Sequence, residues 1–87
     1  GVYAVTVAIT DEPGVYKGMM NIGYRPTVDG KRRMVEVNIF DFDRDIYGKT
    51  LRVTVHQYLR GEQKFNGLEG LKAQLAADRN QAIALLA

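Results

Sequence analysis

Neither cysteine nor a second histidine occurs among the 87 residues of this sequence. Without cysteine the chain forms no disulfide and offers no thiolate ligand to a metal ion. The single histidine, His56, has no partner at the spacing of a metal site, so its position in a strand-like run favours an ordinary strand residue. Disulfide scaffolds and thiolate metal proteins are therefore excluded.

Long apolar runs and a strong excess of one charge are also missing. The longest apolar run, Ala82–Ala87, is far shorter than the ~20 residues that a membrane-spanning helix needs. The net charge of +2 suits an anionic ligand or simply a soluble surface, and it does not select nucleic acid. The chain begins in a strand-like run without an initiator methionine or a signal-peptide pattern, so we expect a piece of a longer protein.

What the sequence does contain is typical of one small globular domain. Its hydrophobic fraction is 46% and its charged fraction 25%, and a chain of this length buries a thin but workable core. Residues alternate in hydrophobicity, as strands do, over 1–9, 15–22, 33–42 and 50–59. Turn dipeptides at Pro13-Gly14 and Asp29-Gly30 keep the first connections short, which favours antiparallel pairing.

From Leu68 the apolar residues recur every three, four or seven positions, which predicts one amphipathic helix. Asn66 is the predicted N-cap, with Glu69 in capping-box register. The predicted fold is mainly β: a single domain, 1–87, forming a small antiparallel, Greek-key-like β-barrel with one C-terminal α-helix.

Glu36, in "MVEVNIF", is the most informative charged residue. It lies inside a predicted strand and shares its face with Met34, Phe40 and Phe42. A carboxylate on such a face either lies in a ligand cleft, where desolvation would raise its pKa and make it a better base, or is exposed on an outer face. The pattern alone favours the exposed position.

The stretch "NIGYRPT" is predicted to form a rigid polar corner just before the strand of Glu36. Asn21, Arg25 and Thr27 offer donors and neutral oxygens to a phosphate, a metal or the edge of a planar ligand. Gly23 would let a backbone approach closely, and Pro26 would fix the loop. The alternative is an ordinary polar turn, which the pattern alone favours.

Three blocks, "GMMNIGYRPTVDG", "VEVNIFDFDRDIYGKTLRV" and "YLRGEQKFNGLEGLKAQLAAD", resemble the riboflavin kinase domain, as found at the C-terminus of bacterial bifunctional riboflavin kinase/FMN adenylyltransferases. The resemblance covers essentially the whole chain, with the blocks in the family's order. It implies a compact antiparallel barrel with a helix beside it. It also implies a cytoplasmic enzyme that phosphorylates riboflavin to FMN with ATP and Mg²⁺.

The resemblance assigns roles to individual residues. Glu36 would be the catalytic base, and Arg60 and Phe65 would belong to a mobile loop that closes over the flavin, with Arg60 on the same side as Tyr58. The implied substrate-binding residues are Asn21, Arg25, Thr27, Asn38, Arg60 and Phe65, and the implied nucleotide-binding residues are Ile46, Tyr47 and Gly48. No metal ligand is assigned within this chain.

The chain also departs from the family's pattern. The family carries a GFPTAN-like segment that holds Mg²⁺ and the ATP phosphates, together with a nucleotidyltransferase domain that makes FAD, and neither is among these residues. Asn38 stands where histidine is usual, and Gly61 where an acidic residue is usual. We therefore expect the nucleotidyltransferase domain to be this module's partner in a longer parent, with no nucleic-acid or membrane partner, and the isolated module to be inactive or impaired.

A binding module is the second hypothesis from the sequence. A small basic barrel could bind single-stranded nucleic acid through Tyr3, Tyr24, Tyr58 and the basic run Lys31–Arg33. The tyrosines are scattered over several predicted strands and the charge excess is slight, which places this hypothesis second.

Overall fold

The computed structural model describes residues 1–87 and contains four β-strands followed by one α-helix. The elements are β1 (Val2–Ile9), β2 (Tyr16–Thr27), β3 (Gly30–Ile39), β4 (Leu51–Arg60) and α1 (Leu68–Leu86). Alternating hydrophobicity and helical spacing predicted all of them in this order. The mainly-β class with a C-terminal helix is confirmed.

The strands form one antiparallel sheet in the order β3-β2-β1-β4. The first three strands follow one another as hairpins, and β4 returns by a longer connection to lie beside β1, which is the Greek-key arrangement. The Greek-key prediction is therefore confirmed. The edge strands β3 and β4 do not pair with each other, so the barrel-like sheet remains open.

Both faces of the sheet carry apolar side chains, and the central strand β1 supplies both. One buried cluster consists of Val5, Val7 and Met20, and the other of Ala4, Phe40 and Ala82. Successive residues of a strand point to opposite faces. Ala4 therefore belongs to one cluster and Val5, the next residue, to the other. Ala82 belongs to α1, which therefore covers the Ala4 face.

The predicted corner at 21–27 is wrong, because β2 continues through it as far as Thr27. Ile22 exchanges two backbone hydrogen bonds with Gly1, at 2.6 and 2.8 Å. Because backbone groups alternate in direction along a strand, the N–H and C=O groups of the even-numbered residues of β2 point to the side of β1. Beyond that pair β2 has no neighbour on that side. The missing N–H of Pro26 therefore falls on an open edge, where proline is tolerated in a strand.

The N-terminus of α1 also differs from the prediction. Gly67, with an extended backbone (φ −169°), is the N-cap, and no side chain caps the helix. Asn66 is therefore not the cap, and the capping box with Glu69 is not formed. The helix begins one residue later than the Asn66 signal suggested.

A capping side chain at position 67 is expected to stabilise the protein. A Cβ at Gly67 would meet no heavy atom within 4 Å, and the backbone already has the extended conformation that a serine N-cap needs. Gly67→Ser should raise the free energy of unfolding by a few tenths to about 1 kcal/mol, or a few degrees in Tm. Thermal unfolding followed by circular dichroism measures this, and Asn66→Ala should leave Tm unchanged.

Candidate active site

Three of the predicted site residues lie in one row across the sheet. Val2 pairs with Asn21 on one side and with Arg60 on the other, and Asn21 pairs with Glu36. Directly opposite residues of antiparallel strands project from the same face. The row therefore presents its side chains on the face that α1 covers, since Val2 and Ala4 share a face of β1.

A cavity of about 540 Å³ lies over this row, between the sheet, the connection 61–67 and the first half of α1. The predicted site residues that line it are Asn21, Glu36, Asn38, Arg60 and Phe65. Its apolar lining includes Val2, Met19, Phe40, Leu71 and Leu75. The cavity thus combines a polar row on the sheet with an apolar wall from the helix.

Glu36 is more exposed than a desolvated base would be. Its side chain is 58% exposed, and Arg25 Nη2 lies 3.3 Å from its Oε1. The cause is its position on the edge strand β3, where only one neighbouring strand shields it. Glu36 therefore lies at the mouth of the cavity and not in an enclosed cleft, which agrees with the exposed position that the sequence pattern alone favoured.

Arg25 borders a second, smaller cavity of about 120 Å³ beside the first. Asn21, Glu36 and Glu62 line both cavities, which makes them neighbours at a junction. Thr27 lines neither and lies exposed at the end of the β2–β3 hairpin. Its assignment to substrate binding stays a prediction.

Arg60 is held in a buried ion pair with Asp78 of α1. Arg60 Nε lies 2.9 Å from Asp78 Oδ1 and Nη2 lies 2.8 Å from Oδ2, and Gln74 donates to Oδ1 at 2.9 Å. Burial alone would raise the pKa of the Asp78 carboxyl, but these hydrogen bonds and the guanidinium charge outweigh it and hold the pKa below its usual value. The hydrogen bonds to Asp78 are also the main reason that the pKa of Arg60 is raised.

The placement of Arg60 corrects two expectations. It is the last residue of β4, clamped to α1, and not part of a mobile loop. It also faces away from Tyr58, because the β1–β4 register shifts between Val2 and Tyr3, so that Tyr3 pairs with Tyr58 while Val2 pairs with Arg60. Strand alternation alone could not predict this irregularity.

Asp78 is a residue that the sequence interpretation missed. It is 1% exposed and follows Leu71 and Leu75 at helical spacing, just before Ala82, so it occupies the apolar stripe of α1. A lone acid in such a stripe indicates a buried cationic partner, since an unpaired carboxylate there would be very costly. The acid in the apolar stripe of α1 could therefore have been used to predict a basic partner on the sheet.

The predicted nucleotide-binding residues lie outside both cavities, in the connection between β3 and β4. Lys49 N donates to Ile46 O at 3.0 Å, and Gly48 has φ +82°, as position i+2 of a type II turn requires. The Asp45 side chain accepts from Tyr47 N at 2.9 Å. This defined turn leaves Tyr47 98% exposed, and its nucleotide-binding role stays a prediction.

Ion pairs attach this connection to the turn between β1 and β2. Arg44 Nη1 lies 2.9 Å from Glu12 Oε1, and Lys49 Nζ lies 3.6 Å from Glu12 Oε2. The hydrogen bond from Arg44 is the main reason that the pKa of Glu12 is lowered. Arg44 and Lys49 flank 46–48, so the turn is fixed at both ends.

The helix α1 lacks the apolar length that crossing a membrane would require.

The sequence model of the riboflavin kinase (flavokinase) family matches residues 1–86. The chain is 42% identical over 86 residues to the bifunctional riboflavin kinase/FMN adenylyltransferase of Bacillus subtilis strain 168, covering 95% of this chain and 27% of that protein. It is 47% identical over 89 residues to the protein of the same name from Pseudomonas fluorescens, covering 100% of this chain and 28% of that one.

A solved structure described as a macrolide-efflux protein from Streptococcus pneumoniae superposes with a TM-score of 0.80 at 41% identity, covering 92% of this chain and 26% of that chain. Its name differs from those of the sequence relatives, and its likeness bears here on the fold. The chain thus spans about a quarter of the length of the proteins it matches. Because the family match extends over nearly every residue, this chain belongs to the riboflavin kinase family.

Proposed function

We propose that this domain transfers the γ-phosphate of ATP to the ribityl 5'-hydroxyl of riboflavin, giving FMN, with Glu36 as general base. The observation that carries the proposal is the row of Glu36, Asn21 and Arg60 beneath a cavity with an apolar wall. A volume of about 540 Å³ is in the range of small-molecule sites. The family membership supports the same substrate.

The two kinds of lining suit the two parts of a flavin. The ring system is planar and largely apolar, and Phe40, Phe65 and Leu71 offer it apolar contacts. The hydroxylated chain requires hydrogen-bonding groups, which the sheet row supplies. In this arrangement the end of the chain points towards the mouth of the cavity, where Glu36 and Arg25 lie.

Glu36 at the mouth can meet both reactants there. Phosphoryl transfer proceeds through a loose transition state, so positioning and charge neutralisation dominate and the base accepts the hydroxyl proton late. A partly exposed carboxylate is adequate for that role, because strong basicity is not required before bond formation begins. The guanidinium of Arg25, 3.3 Å from Glu36 Oε1, adds positive charge beside the transferred group.

Mg²⁺ is not assigned to residues of this chain. No three Asp, Glu or His side chains within 1–87 lie close enough together to hold a metal ion. Mg²⁺ in proteins is usually held by one or two carboxylates together with the phosphates of a substrate. Use of MgATP by the whole protein stays a prediction.

The proposal places this domain in a longer protein. The relatives named above are about four times as long and are named as bifunctional. We propose a parent chain whose nucleotidyltransferase domain adenylylates the FMN made here, and a cytoplasmic location for it. By itself the 87-residue module is expected to be inactive or impaired in phosphorylation.

Riboflavin binding is the direct test. Riboflavin fluorescence is expected to change saturably on titration with the protein, because the ring moves from water into a cavity with an apolar wall. Phe65→Ser should weaken this binding about tenfold, since it removes an aromatic contact from the wall. Tyr58→Ser, on the opposite face, is the matched control and should leave the dissociation constant unchanged. Absence of any saturable change in riboflavin fluorescence with the wild-type protein would refute the proposal.

Nucleic-acid binding remains the second candidate because one observation favours it. Strand alternation places Tyr24 on the same sheet face as Tyr3 and Tyr58, whose rings pack edge to face at 5.4 Å. This face lies opposite the cavity, so the two candidates predict effects on different faces. Fluorescence anisotropy with a labelled single-stranded oligonucleotide should show no binding, whereas binding that weakens steeply with salt would support this candidate.

A further inference from the structure

Glu62 lies where the two cavities meet, and the backbone of β2 leaves room for it. Gly23 is buried, and a Cβ at this position would collide with the carboxylate of Glu62. The Glu62 side chain therefore lies flat against the strand at Gly23, on the face that carries Asn21 and Glu36. A glycine in the middle of a strand often marks such a close approach.

The carboxylate of Glu62 has no donor within the protein. The one guanidinium in the smaller cavity, that of Arg25, pairs with Glu36 instead. No hydrogen bond or ion pair within 1–87 reaches Glu62, whereas Glu36, the other acid that lines both cavities, is paired with Arg25. An ionised carboxylate only accepts hydrogen bonds, so Glu62 is free to receive them from a ligand.

The surroundings indicate what kind of donor this would be. Arg25 borders the smaller cavity and Arg60 the larger one, and each is already paired with a carboxylate, of Glu36 and of Asp78. The donor to Glu62 must therefore come from the ligand, and riboflavin, the substrate proposed above, is uncharged. An apolar ligand group would displace water from the carboxylate without replacing its hydrogen bonds, which costs free energy. Neutral hydroxyl groups fit best, because two neighbouring hydroxyls can donate to the two oxygens of one carboxylate and form strong, charge-assisted bonds.

We propose that Glu62 accepts hydrogen bonds from the ribityl hydroxyls and so makes the site select flavins that carry a polyol chain. The proposal rests on the proposed function and adds a specificity-determining residue to it. A site built to bind hydroxyl groups discriminates strongly against analogues that lack them, because its polar group is then left unpaired. Gly23 contributes to the same selection, because the absence of a side chain at this position leaves the space that Glu62 occupies.

The test compares riboflavin with lumiflavin, which has the same ring system but a methyl group in place of the ribityl chain. In the full-length protein, Glu62→Ala should raise the KM for riboflavin about tenfold or more. The inhibition constant of lumiflavin should stay unchanged, because its ring contacts do not involve Glu62. Glu69→Ala, an exposed acid in the first turn of α1, is the matched control and should change neither constant.

Gly23→Ala provides a second, independent variant. It should displace Glu62 and raise the riboflavin KM by a similar factor, and the double variant should be little worse than either single one. An unchanged riboflavin KM in Glu62→Ala, or an equal loss for lumiflavin, would overturn the proposal. If the wild-type protein neither binds nor phosphorylates riboflavin, the proposed function itself fails, which is a distinct result.

Discussion

Replacing Glu36 with glutamine is expected to lower kcat for riboflavin phosphorylation by about 100-fold or more in the full-length protein. Glutamine has nearly the same shape and can still accept a hydrogen bond from Arg25, so the cavity mouth keeps its geometry. It cannot take the hydroxyl proton. The dissociation constant of riboflavin should therefore change little, while turnover falls, as measured by steady-state kinetics and by fluorescence titration.

The loss in Glu36→Gln should appear in kcat and not in KM, because the interaction that is removed acts only in the transition state. Glu69→Gln removes one negative charge outside the cavity and should leave both constants near their wild-type values. A Glu36→Gln variant with near-normal kcat would show that another group, or water, accepts the proton.

Replacing Asp78 with alanine is expected to destabilise the protein by about 3–5 kcal/mol, because it leaves the largely buried guanidinium of Arg60 without its partner. Gln74 also loses its acceptor. Urea unfolding at neutral pH measures the loss. Asp41→Asn is the matched control: Asp41 pairs with Arg79 at 2.7 Å but is 81% exposed, so the loss should be at most about 1 kcal/mol. Asparagine also tolerates the positive φ of +53° at this position.

Removing both charges distinguishes the free-energy penalty of burying an unpaired charge from the net contribution of the ion pair to stability. Arg60→Met combined with Asp78→Leu should be far less destabilising than Asp78→Ala, and near neutral if the new side chains pack well. If the double variant were as unstable as the single one, packing at this position, and not the unpaired charge, would account for the loss.

The contribution of Asp78 also has a predictable pH dependence. The pKa of this carboxyl is lower in the folded chain than its usual value of about 3.9. Its stabilising effect is therefore fully present above that value and is lost as the pH falls through the lowered pKa. The difference in unfolding free energy between wild type and Asp78→Ala should be largest at neutral pH and shrink below about pH 4.

Much of the fold could be predicted because hydrophobic alternation and helical spacing are strong local signals. Those signals gave β1, β3, β4 and α1 to within a few residues. They failed at 21–27, where Pro26 was expected to fix a polar corner. Whether proline is tolerated depends on which edge of β2 is open, and that is a property of the sheet and not of the local sequence.

The candidate site was predictable only where resemblance supplied the residues. Composition and spacing could not bring Asn21, Glu36 and Arg60 together, since that requires the pairing register of three strand interfaces. Glu62 lies in a connection without any periodic pattern, and its position follows from the missing side chain at Gly23. Both facts arise from long-range packing, which a single sequence does not encode in any local pattern.

The Greek-key order has a consequence for how the domain acquires its structure. β1 is the first strand of the sequence, yet one of its two neighbours is the last strand, β4. Pairing of such distant segments has a high contact order, which slows folding. During synthesis, Val5 and Val7 therefore stay partly uncovered until β4 has left the ribosome, and premature termination before residue 60 would leave an aggregation-prone strand edge.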